Sequence, residues 1–130
     1  MRRMAVVALV LLASSAAAEE PGEGFGADLF FTHCGACHGA SGHGDGPVAA
    51  QLEFVPPDLT RIAERNGGDF PADDVHRIID GKRPLEGHGG PEMPIWGDAF
   101  KAAEDGYSEE AVQERIAAIV AHLATLQRAE

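Results

Sequence analysis

The sequence predicts an all-α domain of about four helices joined by long loops. Apolar residues recur at spacings of three and four near the C-terminus, and no stretch alternates apolar with polar residues as a half-buried strand does. Between the periodic stretches, 16 glycines and 8 prolines interrupt any regular element. With 130 residues, 45% of them apolar and 24% charged, the chain is too short for a second core and too apolar to be disordered.

The first eighteen residues stand apart from the fold. Arg2 and Arg3 form a positive head, Met4 to Leu12 an unbroken apolar run, and Ala16-Ala17-Ala18 the small residues that a signal peptidase cleaves after. Residues 1–18 are therefore expected to be an export signal, with an uncleaved anchor as the alternative reading. From Met4 to Ala18 there are 15 residues, short of the roughly 20 that a spanning helix needs. Cleavage leaves 112 residues: a short extension, 19–25, and the domain, 26–130.

The first helix is predicted from about Gly26 into Cys34, with Leu29, Phe30 and His33 at helical spacing. Four glycines between Gly39 and Pro47 require a loop. A short helix over Asp58 to Asn66 follows Pro56-Pro57, places Leu59, Ile62 and Ala63 on one face and stops at Gly67-Gly68. Another starts near Pro71-Ala72, turns Val75, Ile78 and Ile79 inward and ends at Gly81, with proline at its start and glycine just past its end. The segment from Gly89 to Gly97 is read as a loop that no regular element accommodates. The last helix has Ser108 as its N-cap, Glu109 and Glu110 complementing the dipole, and Val112, Ile116, Ile119, Leu123 and Leu126 along one stripe.

Lys and Arg total 10 against 21 Asp and Glu, a formal charge of −11. Losing Arg2 and Arg3 with the leader makes it −13. No basic stripe exists, and a field of this sign repels phosphate backbones, which excludes nucleic-acid binding.

Only two cysteines occur, in Cys34-Gly35-Ala36-Cys37-His38. A structural zinc site wants a second Cys/His pair at similar spacing, and none is present. A thioredoxin-type motif sits in a βαβ context, which the flanks lack. Neither zinc nor a simple disulfide needs a histidine directly after the second cysteine. C-x-x-C-H is the attachment signature of c-type haem: both thiols add to the vinyl groups and the next side chain reaches the iron. One covalent haem c is the expected cofactor, with Cys34 and Cys37 bonded to it and His38 as one axial ligand.

The sixth ligand is Met93 on this reading, the only methionine of the mature chain. A methionine is usually core filler, but Met93 stands in Gly89-Gly90-Pro91-Glu92-Met93-Pro94, where a stiff backbone can hold a thioether in place. His88, five residues earlier, is the rival ligand, its bland reading being a solvated loop residue. His43 and His76 have no strong claim, and His33, next to the first thiol, is expected to cover part of the haem edge.

With both axial positions filled, the iron has no open site and can only exchange an electron. Scattered carboxylates are a solvated face, and no nucleophile-base arrangement or phosphate-binding loop stands out. A redox carrier is expected, whose negative field favours partners with a basic docking patch and makes association slower in salt. Lys82-Arg83 is the one concentrated positive feature. Two alternatives stand: a haem subunit of a larger oxidoreductase, or a five-coordinate haem protein that binds a gas or reduces peroxide.

From about Gly26 to Leu126 the chain resembles the class I, single-haem bacterial cytochromes c. The resemblance implies the cytochrome c fold wrapped around one haem and electron transport in the periplasm. In that family a glycine and an aromatic precede the first thiol by eight and four residues, as Gly26 and Phe30 do here. They serve the crossing of the first and last helices. The resemblance also implies that Gly46-Pro47 supplies a carbonyl to His38 Nδ1, that Met93-Pro94 is the ligand loop, and that the Trp96 indole reaches a haem propionate. One departure is His122, which stands before Leu123 where the family often has Tyr or Trp.

Overall fold

A computed structural model of the chain describes residues 24–83, 93–103 and 106–128. The expected leader, residues 1–18, and His88 lie outside the described residues, as does most of the expected short extension. The described elements are all helical. They are α1 (Phe25–His33), α2 (Gly35–His38), α3 (Ile62–Arg65), α4 (Ala72–Ile79), α5 (Trp96–Lys101) and α6 (Glu109–Thr125), with single 3-10 turns at Ala49–Gln51 and Leu59–Arg61. Among the described residues no helix is long and apolar enough to cross a membrane.

The long α6 is the spine of the molecule, packing against α1, α4 and α5. Ser108 caps it by accepting from the Ala111 N–H at 3.2 Å. Its apolar stripe then disappears from solvent: Val112, Ile116, Ile119, Val120 and Leu123 are all buried. At its far end Gln127 reaches across to the 59–63 segment, accepting from Ala63 N–H at 2.9 Å and donating to the Leu59 carbonyl at 2.9 Å. The Arg128 N–H donates to the Thr60 carbonyl at 3.0 Å. These bonds between distant segments fix where the second helical region sits.

That region begins differently from the expected single helix. Asp58 caps it, accepting from the Thr60 N–H at 2.9 Å, but the first turn is the tighter 3-10 type and α3 follows only from Ile62. The prolines at 56 and 57 leave a short entry, and a 3-10 turn is the usual way to tighten such an end.

A second difference is larger. Trp96 and Gly97, read from the sequence as loop, open α5, and Phe100 of that helix is 3% exposed in the core. Ile95 is extended and its carbonyl receives the Ala99 N–H at 3.0 Å, so the helix starts immediately beyond Pro94. Glycine is a poor helix former in isolation. Here close packing outweighs propensity, because Gly97 lies against Asp80.

The α1–α6 crossing depends on the absence of a side chain. A Cβ at Gly26 would fall on the Ala118 carbonyl of α6. Beside it the His122 ring packs on Phe30, centroids 5.3 Å apart and tilted by 50°. The histidine thus occupies the aromatic place in the crossing, and the departure at His122 leaves the packing intact. Gly26→Ala is expected to force the helices apart. Overpacking against rigid backbone costs about 3 kcal/mol, and the thermal midpoint should fall by roughly 10–20 °C; melting of the purified variant checks this.

Candidate haem pocket

The Cys-x-x-Cys-His segment occupies a break between two helices. Cys34 ends α1, its N–H donating to the Phe30 carbonyl at 2.8 Å, and the chain re-enters helix at once as α2, which carries Cys37 and His38. The carbonyls at the end of so short a helix need partners, and the glycine loop provides them. Val48 N–H donates to the Ala36 carbonyl at 3.1 Å, Gly46 N–H to Cys37 at 3.2 Å and Gly44 N–H to His38 at 2.8 Å. Gly46 lies so close that a Cβ there would collide with the Ala36 and Cys37 backbones. The four-glycine loop is therefore a backbone cradle that fixes the direction in which the two thiols and the imidazole project. Pro47, the next residue, is exposed.

Above this segment lies an open, mostly apolar cavity of about 280 Å³. Its lining comes from every part of the described chain. Phe30, His33, Cys34, Cys37 and His38 form one part, and Leu52, Phe54, Pro56, Pro57, Leu59 and Ile62 another. Val75, Ile78 and Ile79 of α4, Ile119 and Leu123 of α6, and Met93, Pro94 and Trp96 complete it. The sequence pattern did not single out Leu52 and Phe54, which lie in no periodic stretch; the only signal was the apolar residues on either side of Glu53 before Pro56-Pro57.

The residues named from the sequence mostly converge here. Cys34, Cys37, His38, Met93 and Trp96 line the same cavity, and His38 is 8% exposed. His33 also lines it and belongs to an aromatic cluster, 5.2 Å from Trp96 and 5.0 Å from Phe100 between ring centroids. His43 stands away, exposed, with Nδ1 3.4 Å from Asp58 Oδ1. Lys82 and Arg83 are each met by an acid: Lys82 Nζ lies 2.5 Å from Asp80 Oδ2, and Arg83 pairs with Asp74.

The thiols separate the possible chemistries. No disulfide joins them, and burial, with a smaller contribution from Cys37, pushes the Cys34 thiol up to about 12. Redox-active C-x-x-C cysteines have the opposite environment, which lowers the pKa and favours thiolate. Among the described residues no cluster of His, Cys, Asp and Glu is arranged to hold a metal ion by itself. An apolar cavity with two thiols and one imidazole on its wall fits a large apolar group that carries its own metal.

The family model for cytochrome c matches residues 25–127. The chain belongs to the cytochrome c family. No curated protein and no solved structure matches it. The cofactor of the family is covalent haem c with its iron, and its role is electron transfer, so the helical architecture and the cavity of this cytochrome have one explanation.

Two histidines, His33 at the pocket and His122 in the α1–α6 crossing, give the cytochrome a pH-dependent stability. His33 is held below the ordinary histidine value by burial and then by the Arg115 charge, and His122 by burial. The folded state thus resists protons that the unfolded chain takes up near pH ~6.5. Their contribution is complete above that value and declines as pH falls from it towards the depressed folded values. The melting temperature of the holoprotein is expected to be lower at pH 5 than at pH 7. His122→Phe should reduce that difference, which paired thermal melts will show.

Proposed function

We propose that this cytochrome is an exported one-electron carrier of the bacterial periplasm, its leader residues 1–18 and its haem bonded through Cys34 and Cys37. On this reading His38 and Met93 are the axial ligands. The observation that carries it is that a single apolar cavity is lined by both thiols, the one imidazole that follows them and the only thioether of the mature chain.

When bound, the haem iron supplies a reversible one-electron couple. The chain holds and tunes it. A soft, neutral thioether favours the ferrous state and raises the potential relative to two imidazoles. On this reading the Pro47 carbonyl, in the loop that Gly46 brings against the Ala36 and Cys37 backbones, would accept from His38 Nδ1, orienting the ring and raising its basicity. Trp96, half-buried at the cavity, would offer its indole N–H to a propionate of the bound haem. Apolar walls from α4 and α6 exclude water, and two filled axial positions leave no place for a substrate.

The partner is a redox protein with a basic docking patch. The mature formal charge is −13, and the one basic pair, Lys82-Arg83, is neutralised by Asp80 and Asp74. Electron transfer to a lysine-rich redox partner, followed by stopped flow, is expected to slow about tenfold or more from low to high ionic strength. In the same preparation the reduced cytochrome is expected to leave carbon monoxide unbound. Rates indifferent to salt would overturn the basic partner, and carbon monoxide uptake would overturn six-coordination.

A further inference from the structure

Two chain segments touch beside the cavity, a glycine of each seating a side chain of the other. Gly81 follows α4 with a φ of +79°, and a Cβ there would run into the Ile95 side chain. A Cβ at Gly97 would run into the carboxylate and carbonyl of Asp80. The stretch 80–82 is thereby seated on 95–97, and Met93 lies two residues before Ile95.

Asp80 is the polar centre of this contact. It is 7% exposed, a burial that an ionised carboxylate tolerates only with partners. Lys82 Nζ stands 2.5 Å from its Oδ2, and Gln113 of α6 donates to its Oδ1 at 3.4 Å. The carboxylate therefore joins the exit of α4, the entry of α5 and the first turns of α6 at one point. Trp96, between Ile95 and Gly97, lines the cavity together with Met93.

We infer that Asp80 is a positioning residue for the sixth haem ligand, clasping the 80–82 and 95–97 segments so that the Met93 thioether stays on the iron. This rests on the Met93 ligation proposed above. A methionine on a short tether leaves the iron whenever its anchor loosens, and an external ligand then takes the vacant position. Apparent affinity for such a ligand reports the fraction of molecules with the thioether off.

The test uses ferric holoprotein titrated with imidazole, together with the weak red absorption of a sulfur-ligated ferric haem. Asp80→Asn is compared with Met93→Ala and with Val120→Ala, a buried core position of α6 seven residues beyond Gln113 and away from this contact. A tenfold rise in the thioether-off population tightens apparent imidazole binding about tenfold, and this is the result expected for Asp80→Asn, with loss of red absorption. Met93→Ala should bind more tightly still, and Val120→Ala like the wild type. If Met93→Ala responds but Asp80→Asn does not, the clasp is overturned and the ligand assignment stands. If Met93→Ala does not respond, the ligand assignment itself falls and the clasp with it. A Val120→Ala response equal to that of Asp80→Asn reduces the effect to general destabilisation and overturns the positioning role. Should Asp80→Asn fail to accumulate as holoprotein, Gly97→Ala, whose Cβ displaces the same carboxylate, decides by the same criteria.

Discussion

Replacing Cys34 and Cys37 together by alanine is expected to yield a chain with little helix and no cooperative melting. The reason lies in which residues line the cavity. Phe30, Leu59, Val75, Ile79, Ile119 and Leu123 are at once the buried core and the cavity wall. Without the haem they close around empty or water-filled space. At about 24 cal/mol per Å³, a void of about 280 Å³ costs about 7 kcal/mol. The opening to solvent makes this an upper figure. Native domains are stable by only about 5–15 kcal/mol, so a loss of this size removes most of the margin. Covalent attachment works in the other direction, since binding free energy becomes folding free energy. Circular dichroism decides the matter: native helicity with a sharp melt in the double variant would show that the polypeptide folds unaided.

Met93→Ala is expected to lower the reduction potential by about 0.2 V, a quarter of the ~0.8 V range that axial ligands command. The sign follows from the preference of a thioether for ferrous iron. Once it is gone, the ferric state gains relative stability and the sixth position opens to water. The variant should therefore bind carbon monoxide when reduced and imidazole when oxidised, whereas His88→Ala should leave the potential where it was. Redox titration with ligand spectra provides the measurement. An unchanged potential in Met93→Ala combined with a drop in His88→Ala would move the ligand five residues back along the chain.

Much of the site was legible because its chemistry is local in sequence. Cys34, Cys37 and His38 are three and four residues apart, so one helical turn brings them together whatever the rest of the chain does. The α6 stripe was legible for a similar reason: its period identifies a buried face without reference to the partner that buries it. Propensity misled at Trp96-Gly97. Proline and glycine signalled a loop, but the contact of Gly97 with Asp80 and the burial of Phe100 favour a helix there.

The sequence alone settled the helical class, the placing of two thiols and an imidazole within one turn, and the stripe on which the core is built, because each is set by neighbours within a turn or two. Tertiary structure decided what spans greater distances. It brought Leu52 and Phe54 to the cavity, put the His122 ring on Phe30 and set Asp80 beneath Gly97. Such contacts carry no period or spacing, since a residue that packs across the fold is chosen for its fit to a surface that exists only once the chain has closed around it.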